Sequence, residues 1–338
     1  MKILVTGGLG YIGSHVVVEL QEQGYEVLII DNLSNTSLDV LNKITSITNI
    51  KPSFEKVDVR DKESLATFFE KHRNVKGIIH FAASKAVGES VENPLLYYEN
   101  NINALVYMLQ NIQDKETSFI FSSSCTVYGQ ADKLPVTEDA PIKPAESPYG
   151  NTKQIGEEII RDTCKVTPHL NAIALRYFNP IGAHKSAKIG ELPLGIPQNL
   201  VPYITQTAIG LREQLSVYGN DYPTRDGTAV RDYIHVVDLA KAHVAALSRL
   251  LDKKGEENFE VFNVGTGTGS TVLEVITAFE NATGHPLNYK IVGRRAGDVV
   301  EAYAQTDRVK QVLGWESTYS LEEALASSWE WEKAVRGK

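Results

Sequence analysis

The chain opens with a short apolar run, Lys2-Ile3-Leu4-Val5-Thr6, that breaks at once into Gly7-Gly8-Leu9-Gly10-Tyr11-Ile12-Gly13, and residues 11–23 continue as a helical stretch. A strand, a glycine-rich turn and a helix in that order commit a chain to beginning a βαβ unit of a parallel sheet. Gly7 permits the tight turn, Gly10 lets the main chain approach a pyrophosphate, and Gly13 lets helix and sheet pack closely. The helix start then presents N–H groups and the positive end of its dipole to phosphate. Asp31 ends the second apolar run, about 20 residues on, where a carboxylate accepts ribose hydroxyls and repels a 2′-phosphate. The expected ligand is therefore a dinucleotide, NAD in preference to NADP. Asp58, after the third apolar run, is expected to meet the adenine edge.

The same rhythm continues through the first half. Apolar runs at 26–30, 53–56, 77–81, 119–122 and 172–177 alternate with helical stretches at 62–71, 93–113 and 148–163. Val27-Leu28-Ile29-Ile30 is continuously apolar, as a strand buried on both faces requires. After Asn179 the texture changes: residues 180–228 are rich in Gly, Pro and polar side chains and read as an irregular, substrate-covering region. Residues 230–250, a strand and a helix, and 259–264, a strand, read as returning to the first domain. Residues from 271 on complete a smaller domain, with helices at 272–281 and 321–335. The predicted fold class is α/β: a Rossmann-like doubly wound parallel sheet, residues 1–178 plus about 229–264, with a smaller mixed α/β substrate-binding domain, about 179–228 plus 265–338.

A net charge of -8 and the lack of a Lys/Arg stripe argue against nucleic-acid partners. No stretch reaches the roughly 20 apolar residues that span a bilayer, and the first apolar run meets glycines before a signal-peptide core could form. A soluble, cytoplasmic protein is expected. Two cysteines, Cys125 and Cys164, with no CxxC or His/Cys cluster, argue against a disulfide framework and a zinc site.

Ser147-Pro148 reads as a helix start, with Ser147 as N-cap. Tyr149 and Lys153 then lie one turn apart on one face. A phenol of pKa about 10 is a poor base at neutral pH, but an adjacent ammonium and the positive nicotinamide of an oxidised cofactor both favour phenolate. Ser124 closes the strand-end sequence Phe121-Ser122-Ser123-Ser124 and can share the proton or orient a substrate oxygen. A Tyr-x-x-x-Lys pair alone recurs by chance on helix surfaces. With the serine and the glycine turn before it, the pair points to hydride chemistry on a hydroxyl or ketone.

Several motifs extend this pattern: Ser147-Pro148-Tyr149-Gly150, Arg176-Tyr177-Phe178-Asn179-Pro180, Asn199-Leu200-Val201-Pro202-Tyr203, Tyr218-Gly219-Asn220-Asp221-Tyr222 and Val230-Arg231-Asp232-Tyr233-Ile234-His235. Together with the turn and Ser124 they resemble the UDP-glucose (UDP-galactose) 4-epimerases, extended members of the short-chain dehydrogenase/reductase superfamily, over essentially the whole chain. The resemblance implies NAD held by Gly7, Gly10, Tyr11, Ile12, Gly13, Asp31, Asn32, Asn35, Asp58, Val59, Phe81, Ala82, Ala83, Lys85, Asn100, Ser122, Tyr149, Lys153, Tyr177 and Phe178. It implies a UDP-sugar held by Lys85, Ser124, Tyr149, Phe178, Asn179, Asn199, Leu200, Ser216, Val217, Tyr218, Arg231, Arg295, Asp298 and Ala302. A guanidinium fork suits diphosphate, although Arg231 and Arg295 could instead form ion pairs with Asp232 or Asp298. The implied reaction is oxidation at C4 of UDP-galactose or UDP-glucose to a 4-keto sugar, rotation about the diphosphate, and re-reduction. The implied assembly is a homodimer joined through the helices at 95–113 and 148–163.

In such enzymes the position four residues after Asp298 gates the sugar by size. It is Ala302 here, with Tyr303 next to it should the register slip by one. A small residue extends the expected substrates to UDP-N-acetylhexosamines. A 4,6-dehydratase would carry an Asp-Glu pair where this chain has Cys125 and Thr126, and Tyr218 to Tyr222 suits a hexose enzyme better than a UDP-uronate epimerase. A silent nucleotide-binding scaffold would typically have lost Tyr149 or Lys153. Bland readings cover the remaining features: Gly265 to Ser270 as a turn before a helix capped by Ser270 or Thr271, Asp238 as a helix cap beside His235, and Cys125 as a small buried filler.

Overall fold

In β1 (Lys2–Thr6) Ile3 and Val5 enter one apolar core while Leu4 enters another, on the opposite face of the sheet. The later strands are β2 (Glu26–Asp31), β3 (Ser53–Lys56), β4 (Val75–His80), β5 (Thr117–Ser124), β6 (Leu170–Tyr177), β7 (Asn179–Ile181), β8 (Leu215–Tyr218), β9 (Val230–His235), β10 (Phe259–Val264), β11 (Gly269–Thr271), β12 (Tyr289–Val292) and β13 (Glu301–Ala302). The helices are α1 (Tyr11–Glu22), α2 (Asp39–Thr48), α3 (Lys62–Lys71), α4 (Val87–Glu92), α5 (Pro94–Tyr98), α6 (Ala104–Ile112), α7 (Pro148–Val166), α8 (Leu200–Ala208), α9 (Val236–Leu251), α10 (Val272–Thr283), α11 (Asp307–Leu313) and α12 (Leu321–Arg336). The computed structural model describes residues 1–112, 115–295 and 298–337.

Seven parallel strands form the main sheet in the order β10-β6-β5-β4-β1-β2-β3. The order reverses between β1 and β4, where a doubly wound sheet opens a crevice at the carboxyl ends of its strands. Val16, Val17 and Leu20 of α1 and Leu239 and Leu247 of α9 cover one face. Leu65 and Phe68 of α3, Met108 of α6 and Ile160 of α7 cover the other. Burying one such side chain contributes roughly 1.5–3 kcal/mol, against about 1 kcal/mol net for a backbone hydrogen bond. The two cores, more than the strand pairing, hold the sheet.

A second region lies over the crevice. There β9 pairs with β7 and β13 in parallel and with β11 antiparallel, and β8 pairs with β12. Ile181, Val201, Ile204, Val275, Phe279 and Trp329 join α8, α10 and α12 in a third core. Among the described residues no helix is long and apolar enough to cross a membrane.

The expected strands of the main sheet are present, each displaced by at most two residues at an end. Three expectations need correction. The strand expected at 230 belongs to the second sheet, although the helix after it packs on the first. A buried run such as Val230-Arg231-Asp232-Tyr233-Ile234 does not encode which sheet it joins. Residues 180–228 are not merely irregular: Val201, Ile204 and Thr205 bury one face of α8, and Pro202 in its first turn disguises it. The stretch 93–113 is not one helix but α5, a π-turn at Glu99–Asn103 and α6, and Gln113 lies outside the described residues. Asn101 in that π-turn accepts from the Ser84 N–H (2.8 Å) and donates to the Ser84 carbonyl (3.0 Å) and Thr152 Oγ1 (3.1 Å). These bonds hold the widened turn against the crevice.

Candidate active site

Gly7 has φ +67°, and a Cβ there would sit 3.0 Å from the Ala82 nitrogen, so the turn nests against the end of β4 as only glycine allows. A Cβ on Gly13 would fall 2.3 Å from the Gly7 carbonyl oxygen. Gly10 occupies the N-cap position of α1 and supplies no side-chain cap. A cradle that any Cβ would fill, opening on an uncapped helix start, fits a dinucleotide pyrophosphate. Asp31, buried at the end of β2, accepts from the N–H groups of Leu9 (3.3 Å) and Leu33 (2.9 Å). Burial pushes its carboxyl up and those two bonds pull it back. The two contacts orient the acid beside the turn.

Asp58 is gripped by Arg60, Nε at 2.9 Å and Nη2 at 2.6 Å, and accepts from Asn32 Nδ2 at 3.1 Å. Arg60 holds its carboxyl down at about 2. The carboxylate expected at an adenine edge is thus already engaged by a neighbour. Val59 is buried and Asn35 exposed. Phe81, Ala82 and Ala83 are half-buried after β4, Phe81 with its ring against His243. Lys85 is exposed and reaches Glu191 Oε1 at 3.1 Å, and Asn100 donates to Ser84 Oγ at 2.7 Å. The Tyr11 hydroxyl donates to the Gly182 carbonyl at 2.7 Å, across the seam between the two regions.

Ser124 ends β5, and its Oγ accepts from the Thr126 N–H at 3.2 Å. Ser147 caps α7 as expected, its Oγ accepting from the Gly150 N–H at 3.1 Å, with Pro148 in the first turn. Lys153 is buried, donates from Nζ to the Ser122 carbonyl at 2.7 Å, and lies 5.7 Å from the centre of the Tyr149 ring. Ser122 Oγ and the Tyr177 hydroxyl are hydrogen-bonded to each other beneath it. Burial lowers the Lys153 ammonium to about 8, with the Glu157 carboxylate opposing. The expected lowering of Tyr149 draws on both Lys153 and the charge of an oxidised nicotinamide, and within the protein alone it is opposed. Burial drives the phenol well above its ordinary value, Tyr177 adds to this, and the Ser124 hydroxyl pulls the other way. Desolvation of a phenolate outweighs an ammonium held by a main-chain carbonyl rather than by the phenol.

In the second region Asn179 opens β7, and Asn199 precedes α8 with Nδ2 on Glu191 Oε1 at 2.7 Å; Leu200 follows it. In β8 the side chain of Val217 points into the third core, Ser216 is half-buried and Tyr218 is exposed. Val217 therefore offers the site its main chain alone. Arg295 grips Asp298, Nε at 3.1 Å and Nη2 at 2.8 Å, and Arg231 Nη2 lies 3.8 Å from the same carboxylate. The ion pairs considered for the arginines thus form, on Asp298. The alternative acid, Asp232, instead accepts from Thr266, Gly267 and Ala304. Ala302 pairs with Arg231 and packs against the cluster of Val127, Tyr128 and Phe178, while the Tyr303 ring lies against Gly269 on the other side. Ala302 and Tyr303 thus face opposite ways.

Cys125 is half-buried rather than fully buried, and desolvation pushes its thiol up to about 12, in keeping with an unreactive side chain. Thr271 caps α10 with a complete capping box. Asp238 is not a cap: His235 caps α9 through Nδ1, and Asp238, inside the first turn, accepts from Thr318 and Tyr319 instead. Among the described residues no cluster of His, Cys, Asp and Glu could hold a metal. Sequence reasoning missed Glu191, which gathers Lys85 and Asn199, and Glu157, whose position eight residues after Tyr149 places it on the same helix face.

A family model described as GDP-mannose 4,6 dehydratase matches residues 4–328. The chain is 48% identical over 335 residues to the UDP-glucose 4-epimerase of Bacillus subtilis, covering 99% of this chain and 97% of that one. Among solved structures, the UDP-glucose 4-epimerase of Stenotrophomonas maltophila, with bound NAD and formylated UDP-arabinopyranose, superposes with a TM-score of 0.95 at 45% identity, covering 100% of this chain and 99% of that one. That of Bifidobacterium longum, in complex with NAD+ and UDP, superposes with a TM-score of 0.94 at 43% identity, covering 99% of each chain. With no acid pair at Cys125 and Thr126 for a dehydration, and with likeness of this degree from end to end, the chain belongs to the UDP-glucose 4-epimerase family of the extended short-chain dehydrogenase/reductases.

Proposed function

We propose that Ser124, Tyr149 and Lys153 perform the proton transfers of a sugar-nucleotide epimerisation in the crevice at the carboxyl ends of β1, β4 and β5. The enzyme interconverts UDP-glucose and UDP-galactose with NAD as cofactor. The observation that carries the assignment of residues is their convergence: α7 sets Tyr149 and Lys153 against the strand end that holds Ser122 and Ser124, beside the glycine cradle. NAD, when bound, supplies the acceptor and donor of the hydride at C4 of the sugar. The Gly7–Gly13 turn holds its pyrophosphate, and Asp31 takes the ribose hydroxyls and repels a 2′-phosphate.

Tyr149 Oη removes the C4 hydroxyl proton and later returns it to the C4 oxygen. Ser124 Oγ orients that oxygen. Lys153 stabilises the phenolate, a form whose burial otherwise makes it costly. Arg231 and Arg295 anchor the diphosphate, trading part of their pairing with Asp298 for phosphate oxygens. An anchored diphosphate lets the 4-keto sugar turn over without leaving the crevice.

Turnover of UDP-galactose to UDP-glucose by purified protein without added NAD tests this reading. Conversion supports a retained cofactor, whereas none even with NAD supplied overturns it. The small Ala302, packed beside Phe178, favours a second substrate class, the UDP-N-acetylhexosamines, and absence of UDP-GlcNAc turnover in a preparation active on UDP-galactose would remove it. A homodimer through the surfaces of α5–α6 and α7 accords with the exposure of Leu95 and Val166, each 80% accessible.

A further inference from the structure

We infer that Glu157 and Arg176 are positioning residues of the reaction: a buried carboxylate–guanidinium clamp that fixes α7 against the ends of β5 and β6 and faces Lys153 with a negative charge. The inference rests on the assignment of Tyr149 and Lys153 made above.

Tyr149, Lys153 and Glu157 are spaced i, i+4, i+8, so the three side chains share one face of α7. The Glu157 and Arg176 side chains are each 4% exposed. Glu157 Oε1 accepts from Ser123 Oγ at 2.5 Å and from Arg176 Nε at 2.9 Å, and its Oε2 accepts from Arg176 Nη2 at 2.6 Å. Ser123 sits between Ser122, whose carbonyl receives the Lys153 ammonium, and Ser124. One carboxylate therefore grips the strand end at the residue flanked by both contacts the chemistry uses. Arg176 carries the clamp further: Nη1 donates to the Tyr128 hydroxyl at 2.9 Å, which donates to Asn263 Oδ1 at 2.7 Å, and Asn263 Nδ2 donates to the Val136 carbonyl at 2.9 Å. α7, β5, β6, β10 and the loop before Val136 are thus tied by one polar chain.

Stability gives no reason for such a pair. A buried ion pair is often no more stabilising than apolar side chains of the same volume, and this site adjoins a core of Phe121, Leu105 and Ile160. What an apolar pair could not supply is a charge one helical turn from Lys153. Among the described residues, the groups around that lysine leave Glu157 alone in this role. On its own helix lie Tyr149 and Glu157. β5 contributes the Phe121 ring, 5.0 Å from Nζ, and the Ser122 carbonyl, with neutral Cys125 just beyond the strand. β4 contributes His80, which burial holds at about 3 and so neutral. β6 contributes Tyr177, hydrogen-bonded to Ser122, and Arg176, taken up by Glu157. α5 contributes Tyr97, edge-on to Tyr149. Burial lowers the Lys153 ammonium, and Glu157 is the group that opposes it.

The test is the pH dependence of kcat for UDP-galactose in Glu157→Gln, read beside wild type and Glu157→Asp, with bound NAD and Tm measured on each. Loss of the negative charge makes Lys153 easier to deprotonate. The alkaline fall of kcat is therefore expected about one pH unit lower in Glu157→Gln, with KM unchanged, and back toward wild type in Glu157→Asp. Glu157→Gln strands the Arg176 charge and can unfold the protein, so the double variant Glu157→Gln, Arg176→Gln is read as well. It lacks both charges and should show a downward shift smaller than that of Glu157→Gln, whose stranded Arg176 cation adds to the effect. An alkaline limb that stays at the wild-type pH in the folded variants overturns the inference, whatever the loss of kcat or Tm. Lys153→Met separates the two failures. Wild-type turnover in that variant refutes the assignment of Lys153 itself, whereas an inactive Lys153→Met with an unmoved limb in the Glu157 variants refutes the clamp alone.

Discussion

The cofactor half and the substrate half of this molecule are built from different kinds of contact. In the cofactor half the glycine cradle, Asp31 and Tyr149 with Lys153 each stand within a few residues of the strand or helix that positions them. In the substrate half almost nothing is local: β9 draws its partners from residues 179–181, 269–271 and 301–302, and Arg231 meets a carboxylate at Asp298. The difference separates two tasks. Holding an invariant cofactor suits a rigid, locally specified cradle. Holding a sugar that must turn over suits a surface assembled from side chains that can change partners.

Replacing groups on each side sharpens this division. The largest effect is expected for Tyr149→Phe, which removes only the proton-transfer oxygen: kcat should fall by roughly 10³-fold, within the usual range for a general acid–base group, while bound NAD and Tm stay close to wild type. Next comes Gly13→Ala in the cradle. Its methyl has nowhere to go beside the Gly7 carbonyl, so copurified NAD should drop to a small fraction, and undiminished NAD content would contradict the assigned cradle. Arg231→Ala should act on the other half only. Loss of a charge-assisted contact of about 1.5–3 kcal/mol raises KM for the UDP-sugar by roughly 10- to 100-fold, and cofactor content should not change. The smallest effect is selective: Ala302→Tyr should lower turnover of UDP-GlcNAc about tenfold relative to UDP-galactose, in line with an overpacking cost of roughly 1–3 kcal/mol. Equal loss on both sugars would mean that position 302 does not face the acetamido group.

The same contrast explains what could be read from the chain alone. Strand, turn and helix at the start, Ser147 before Pro148, and the Tyr149–Lys153 spacing are signals complete within one or two turns, and each is found in place. The sheet that β9 joins is not legible, because a buried strand looks alike in either sheet. The role of Asp238 is not legible either, because its partners, Thr318 and Tyr319, lie about 80 positions later. The protonation of Tyr149 is legible only in part: spacing on a helix fixes which groups are neighbours, while the cost of burying a phenolate depends on everything packed above them. Glu157 could have been found by following the helix face one turn further.

β9 ends at His235 and α9 begins at Val236, with His235 itself as the cap; β6 and β7 are separated by Phe178 alone. Both joints pass between the two regions, and neither contains the run of adjustable φ and ψ that a hinge needs. At these two joints the halves are spliced rather than hinged, while a four-residue link with Gly267 at φ +78° joins them again between β10 and β11. Two of the crossings between the halves thus leave no free length of chain about which the cleft could open.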